Sequence, residues 1–308
     1  MIMENVAMGS APIALPAIDP AHIDARSLLA PPGPLDDGRG VRVGVLDTGC
    51  GAHADLVVAK GISMVYGDSD SGYHDTEGHG THVAGVVAAR GREFRGLAPS
   101  VSLNIYRVFP RDGSGASNFD IGNAIDTAVA DGCDLLNLSL GGGPMDAVTD
   151  EAIKSARARG TVCVIAAGND AGPVSNPGTH PLALCVSAIG AKGTWPKGAT
   201  QQEDVTSPSG RSKTYMAAFS NTGPEVDLAG TGCGIISTYP GDRFAVMDGT
   251  SMACPCVTGA IARLLSGSTA ILNGARDAQR ADQIVRLATQ GAVDLGFARE
   301  SQGAGLRS

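Results

Sequence analysis

Four short stretches carry side chains able to act together on a carbonyl group: Asp47 in VLDTGCG, His79 in EGHGTHVAGVV, Asn169 in AAGND and Ser251 in GTSMA. A serine hydroxyl attacks poorly unless a base takes its proton during the attack, and an imidazole suits that task near neutral pH. A carboxylate on the far ring nitrogen fixes the tautomer and stabilises the imidazolium, a role open to Asp47. The tetrahedral oxyanion then needs fixed donors. The side-chain amide of Asn169 and the backbone N–H of Ser251 are candidates, the latter at the positive end of a helix dipole. Each residue also has a plainer reading. Ser251 opens a run, SMACPCVTGAIARLL, that reads as a buried helix, and serine at a helix start is commonly a cap. Asp47 ends an apolar run, where any buried carboxylate needs partners. His79 is followed by a second imidazole, His82, and Gly78 and Gly80 are expected to clear space around the first.

The elements that must position these residues alternate. Apolar runs at 41–47, 101–109, 133–140, 161–168 and 182–190 read as strands. Between them THVAGVVAAR, NFDIGNAIDTAVADG and DAVTDEAIKSARARG place apolar residues at three- and four-residue spacing and run to Gly91, Gly132 and Gly160, the expected left-handed stops. Strand, helix, strand in repetition predicts an α/β fold of three layers, a mostly parallel β-sheet with helices on both faces. Such sheets bind ligands beyond the carboxyl ends of their strands, and the four candidate residues follow predicted strands or open the helix after one.

Composition narrows the class. The chain has 308 residues, 43% of them hydrophobic, enough for a sizeable core. With 43 glycines and only 4% aromatics, that core is expected to be filled by small and aliphatic side chains packed closely. A net charge of -8 disfavours nucleic acid as a partner. No stretch of 18 apolar residues predicts a membrane span, and Glu4 with a broken apolar run predicts no secretory signal. Seven scattered cysteines, an odd number, fit buried free thiols in a reducing, cytoplasmic setting better than a disulfide framework. Residues 1–40, rich in Pro and Gly without a sustained period, read as an N-terminal extension to a domain spanning 41–308.

VLDTG, HGTHVAG, NLSLGG, AAGN and GTSMACP, in that order, resemble the subtilisin-like serine proteases over about residues 41–300, with a layout closest to the intracellular branch. The resemblance implies a serine endopeptidase working through an acyl-enzyme. Ser251 would be the nucleophile, His79 rather than His82 the base, Asp47 the orienting acid and Asn169 the oxyanion donor. It also implies an extended peptide or unfolded-protein substrate held between Asp112-Gly113-Ser114-Gly115 and Ser139-Leu140-Gly141 by main-chain hydrogen bonds. Asp170 would stand at the rim, and Ser175 near the base, of the pocket for the residue before the scissile bond. By the same resemblance the Asn176–Pro177 bond is expected to be cis. An alternative within the same chemistry is a transamidase or leader peptidase, in which an amine intercepts the acyl-enzyme. A noncatalytic peptide-binding module is a third reading.

The chain departs from the family pattern in three places. Cys254 and Cys256 flank Pro255 where relatives usually carry Ser and His; the readings are soft packing or a thiol activated near a helix N-terminus. AARGREFRGLAP, 88–99, is short and bears Arg90, Arg92 and Arg95 where many relatives hold a calcium loop, so that site is expected to be missing although Asp55 resembles one of its ligands. No cofactor is needed for the chemistry, no metal ligand is assigned, and calcium elsewhere stays open. The extension is short for a folded pro-domain. Its apolar segment PIALPAI, 12–18, is expected to lie across the cleft as the chain's own inhibitor.

Overall fold

The computed structural model describes residues 37–68, 72–92, 94–195 and 210–307, with Ile2–Met3, Ile13–Leu15, Arg26, Leu29 and Val205 as isolated pieces. Strands β1 (Ile2–Met3) and β2 (Ile13–Leu15) precede a central sheet. That sheet is built from β3 (Arg42–Asp47), β4 (Val58–Ser63), β5 (Ser102–Arg107), β7 (Leu135–Leu138), β8 (Val162–Ala166), β9 (Leu184–Ala191), β10 (Thr214–Met216) and β11 (Val226–Thr231). The two-residue β6 (Ala116–Ser117) lies outside it, as do β12 (Ile235–Tyr239) and β13 (Arg243–Met247). The order across the sheet is β10-β9-β8-β7-β3-β5-β4, with β11 also paired to β9. Only β10 runs antiparallel to its neighbour.

Strand alternation sorts the side chains into two layers. Val43 and Val45 of β3, Leu135 of β7 and Val162 and Val164 of β8 join one buried cluster. Leu46, Leu136, Leu138, Cys163 and Ile165, the residues between them, join the other, as a period of two requires. The first layer is closed by helices α1 (His79–Ala88), α4 (Thr250–Gly267) and α5 (Ala278–Thr289), the second by α2 (Asn118–Ala130) and α3 (Ala147–Ala158). Burial on both faces explains why these strands read as continuous apolar runs. The chain therefore has the three-layer α/β fold that the alternation predicts.

The ends of the five predicted strands lie within two residues of the observed ones. Helix α1 differs. It starts two residues before the predicted THVAGVVAAR, because a buried carboxylate, Asp75, holds its first turn, and it stops at Ala88 rather than running to Gly91. Ala89 is already extended, and Arg90 pairs with Arg95 in an isolated bridge, so the left-handed stop is not used there. Gly132 and Gly160, at φ 76° and 75°, follow α2 and α3 as expected.

Two short pieces within residues 1–40 pair with later strands. Ile13–Leu15, part of the segment 12–18 expected across the cleft, pairs antiparallel with β13, the second strand of the β12–β13 hairpin. The rest of 12–18 is outside the described residues. Ile2–Met3 pairs with β6, immediately after the 112–115 segment. Arg26 is buried, donates to the Ile236 carbonyl at 2.7 Å and covers the Phe94 ring, and Leu29 packs against the core.

Candidate active site

Parallel register collects the candidate residues at the carboxyl ends of neighbouring strands. Leu46 of β3 is opposite Leu138 of β7, so the next residues, Asp47 and Ser139, emerge side by side. On the other flank Asp47 is opposite Arg107, the last residue of β5, which leads into 112–115. Leu138 is also opposite Ile165 of β8, whose chain continues through Ala167 and Gly168 to Asn169.

Asp47 is fully buried and ties down the first imidazole: its Oδ1 lies 2.7 Å from His79 Nδ1 and accepts the Thr48 N–H at the same distance. The other ring nitrogen, Nε2, is buried with no hydrogen-bond partner among the described residues. Burial opposes the charged ring, but the charge and hydrogen bond of Asp47 outweigh it, with Asp75 and Glu77 adding to the effect, and the pKa of His79 ends above its ordinary value. His82 has a different place. It is wholly buried, its Nε2 lies 3.0 and 3.2 Å from the carbonyls of Ile235 and Ala245, and burial pushes its pKa down to about 3. A neutral ring bridging the β12–β13 hairpin to α1 is the result.

The first turn of α1 is held by Asp75, which the sequence reading did not single out. Its carboxylate accepts from Gly78 N at 2.8 Å, Glu77 N and Thr81 N at 2.9 Å, and the hydroxyls of Thr48 and Thr81. An anion at a helix N-terminus satisfies both orphan donors and the dipole. The neighbouring glycines serve packing rather than clearance around the imidazole: a Cβ at Gly78 would enter the Tyr239 ring, and one at Gly80 would meet the Gly49 carbonyl at 2.2 Å.

Ser251 is the second residue of α4, whose N-cap is Gly249 with no side-chain cap bond. Its hydroxyl therefore does not cap the helix. It donates to the Ser139 carbonyl at 3.2 Å, while Ser139 Oγ donates to the Ser251 carbonyl at 2.8 Å. Behind them Asn137 Nδ2 donates to Ser139 Oγ at 2.9 Å and Asn137 Oδ1 accepts from Thr258 Oγ1 at 3.0 Å, locking α4 to the end of β7. Asn169 is equally fixed. Its Oδ1 accepts from both the N–H and the hydroxyl of Thr250 at 2.8 Å, which directs the Nδ2 end toward Gly249. A Cβ placed on Gly249 would lie 3.5 Å from Ser251 N and 3.6 Å from Asn169 Nδ2, so both nitrogens stand beside the space this glycine leaves open.

The segments expected to hold substrate flank Asp47. Gly113 and Ser114 are exposed and Gly115 half-buried, in a loop set by Asp112 Oδ1, which accepts from Ser114 N at 2.9 Å and Ser114 Oγ at 2.6 Å. Ser139, Leu140 and Gly141 are buried beside Ser251. Asp170 is exposed and Ser175 half-buried. Asn221, absent from the sequence reading, joins them: its Oδ1 accepts from Asp170 N and Gly172 N, and its Nδ2 donates to Ala167 O and Ser175 Oγ. The Asn176–Pro177 bond is cis. A cavity of about 470 Å³ lined by Cys50, His53, Tyr73 and His74, among others, contains none of the predicted site residues.

All seven cysteines are buried and free. Cys254 Sγ sits 3.2 Å from the Val164 carbonyl and burial drives its thiol far up, while Cys256 Sγ accepts from Thr231 Oγ1 at 3.1 Å. Both are packing residues, and the activated-thiol reading of Cys254 does not fit a group so desolvated. Among the described residues no group of three or more His, Cys, Asp or Glu could hold a metal ion. Three groups in or near segment 88–99 have partners within the chain. Arg90 turns its guanidinium to the Pro99 carbonyl, Arg26 covers Phe94, and the main-chain carbonyl of Asp55 is taken by Arg90 N.

Residues 38–305 match the subtilase family. The chain is 38% identical over 228 residues to Subtilisin Savinase of Lederbergia lenta, covering 73% of this chain and 76% of that protein. It is 36% identical over 237 residues to Subtilisin DY of Bacillus licheniformis, covering 74% of this chain and 78% of that one. It is also 35% identical over 232 residues to a thermostable alkaline protease of Halalkalibacterium halodurans, covering 74% of this chain and 58% of that protein. A three-layer fold with a clamped imidazole at its strand ends thus coincides with a family match over most of the sequence, and the chain belongs to the subtilase family of serine endopeptidases.

Proposed function

We propose that this serine protease cleaves peptide bonds through an acyl-enzyme on Ser251. The substrate carbonyl carbon takes the Ser251 oxygen as His79 Nε2 takes the hydroxyl proton; the oxyanion is met by Asn169 Nδ2 and Ser251 N–H; the C–N bond breaks as His79 returns the proton to the amine. Water then repeats the sequence and frees the acid. Asp47 orients His79 and stabilises its charged form. The observation that carries this reading is the buried His79 ring, clamped at 2.7 Å by Asp47 on one nitrogen and bare on the other. Attack requires the Ser251 hydroxyl to turn from the Ser139 carbonyl to His79. A serine-directed phosphonylating reagent should add one equivalent of mass at Ser251 and abolish peptidase activity; labelling elsewhere, or full activity in Ser251→Ala, refutes it. Product masses separate hydrolysis, which adds one water, from transfer to an amine, which does not.

The substrate on this reading is an extended peptide running between 112–115 and 139–141, with Asp170 and Ser175 at the pocket for the residue before the scissile bond. Residues 1–40 form an extension to a peptidase domain spanning 41–308, and inhibit it by strand addition. Support comes from the two strands the extension adds, at β13 and at β6 beside the 112–115 segment. Deleting residues 1–36, which keeps the Asp37–Arg263 ion pair, should raise the rate of peptide hydrolysis; an unchanged rate ends the inhibitory role. Seven buried free thiols support a reducing, cytoplasmic setting, and the net charge of -8 supports a partner other than nucleic acid. No helix among the described residues is long and apolar enough to cross a membrane. The chemistry draws on no cofactor.

A further inference from the structure

Behind the Asp47–His79 pair, one buried carboxylate gathers the chain on both sides of it. Asp75 Oδ1 accepts Glu77 N, Gly78 N and the Thr48 hydroxyl, and Asp75 Oδ2 accepts Thr81 N and the Thr81 hydroxyl. The two hydroxyls carry the tie further. A hydroxyl has one proton to donate, and with that proton given to Asp75 the lone pairs of Thr48 and Thr81 are left to accept. Thr48 Oγ1 takes Gly80 N at 2.8 Å, and Thr81 Oγ1 takes Gly51 N at 2.8 Å. Each threonine therefore crosses from one side of the pair to the other: Thr48 follows Asp47 and binds the residue after His79, while Thr81 follows His79 in α1 and binds the loop after Asp47.

The crossing is tightly packed. A Cβ on Gly80 would meet the Gly49 carbonyl at 2.2 Å, Cys50 N donates to Tyr73 O at 2.8 Å, and the Thr81 carbonyl accepts the Thr238 hydroxyl at 2.8 Å from β12. Only an acceptor without a proton of its own suits the centre of this network, because an amide in place of the carboxylate would set a donor against donors. Asp75 also acts through its charge. The ionisable groups facing His79 are Asp47, Asp75 and Glu77, all of which favour the charged ring, and His82 on the same helix is neutral.

We infer that Asp75, working through the hydroxyls of Thr48 and Thr81, is a positioning residue of the protease: it sets how the Asp47 carboxylate meets the His79 ring and so where Nε2 points. The inference rests on His79 being the base of the proposed mechanism.

The test removes the hydroxyls before it touches the carboxylate. Thr48→Val and Thr81→Val keep the branched shape and delete the relay. Each should lower kcat about tenfold on a short peptide amide with KM little changed, because the geometry of proton transfer is lost and substrate binding is not. Thr48→Ser and Thr81→Ser keep the hydroxyl and should recover most of that loss. Asp75→Asn should lower kcat further and move the acid limb of kcat/KM to lower pH, since a charge favouring the protonated ring is gone. Melting curves accompany every variant. A carboxylate that only held the fold together would lower Tm while leaving kcat per folded molecule and the acid limb in place; that result overturns the inference, as do serine variants no more active than the valine ones. If Asp75→Asn does not fold, the comparison of valine with serine at the two threonines decides alone. Peptidase activity that persists in His79→Ala would instead overturn the mechanism on which the inference rests.

Discussion

Gly249→Ala is the sharpest probe of the oxyanion site. The residue has φ 152° and ψ 159°, backbone that L side chains rarely adopt, so alanine is strained there by roughly 1–3 kcal/mol. Its Cβ would still find ordinary contacts, at 3.5 Å from Ser251 N, 3.6 Å from Asn169 Nδ2 and 3.7 Å from Met252 Sδ. The fold should therefore survive with a lowered Tm, while the methyl group takes up space beside the two donors proposed to meet the oxyanion. Denying one such donor costs about 10²–10³ in kcat, the range known for subtilisin itself. The expected result is a fall in kcat of that order with KM little changed, measured on a short peptide amide alongside a melting curve. Asn169→Ala should give a similar loss, and the double variant should fall well short of the product of the two because both act on one interaction. Near-normal kcat in Gly249→Ala, or fully multiplicative losses, would show that this space is not where negative charge develops.

Asp47→Asn removes the charge that raises the pKa of His79 against its burial. His79 must be neutral to act as base, so activity is lost as pH falls through its raised pKa; the acid limb of kcat/KM should sit above 6.5 in the parent, move to lower pH in the variant, and be accompanied by a fall of about 10⁴ at the plateau. An acid limb that stays in place in Asp47→Asn contradicts the assignment. Asp75→Ala strands the N–H groups of Glu77, Gly78 and Thr81, each at about 1–3 kcal/mol; chemical denaturation should register a loss of several kcal/mol, and a loss below about 1 kcal/mol would mean that water replaces the carboxylate without cost. A thiol reagent such as a disulfide-exchange chromophore should find almost no reactive cysteine in the native protein and all seven after denaturation; rapid native labelling of Cys254 would restore the activated-thiol reading.

The strands and the order of the site were legible because a sheet covered on both faces writes itself as unbroken apolar runs, and because ligand chemistry collects where those runs end. VRVGVLD is such a run, and Asp47 its natural terminus. The tethers were not legible. Asn221 organises the loop 46 to 54 residues before it, and Thr258 reaches Asn137 across 121 residues; neither has a local pattern to betray it. Asp75 left a trace, a carboxylate shortly before a helix start, yet it lies three residues ahead of the cap rather than on it. His82 could not be told from His79 by type or spacing. What separates them is that two carbonyls of the β12–β13 hairpin bracket His82 while a carboxylate takes His79. Segment 12–18 was expected across the cleft; its described part, 13–15, pairs with the open edge of β13, a partner that its apolar character alone does not specify.

These tethers bear on how the proposed nucleophile is held at rest. Asp47, His79, Asn169 and the Ser251 backbone are all tied by buried hydrogen bonds. The one group that must move is the Ser251 hydroxyl, and its resting bond to the Ser139 carbonyl is long, 3.2 Å. A neutral hydrogen bond contributes only about 0.5–1.5 kcal/mol net, so exchanging it for one to His79 Nε2 shifts a population by roughly tenfold at most. That is small beside the several kcal/mol an oriented donor pair supplies. On the proposed mechanism the groups that would meet charge in the transition state are tied by buried hydrogen bonds, and the Ser251 hydroxyl is the group that would turn from the Ser139 carbonyl to His79.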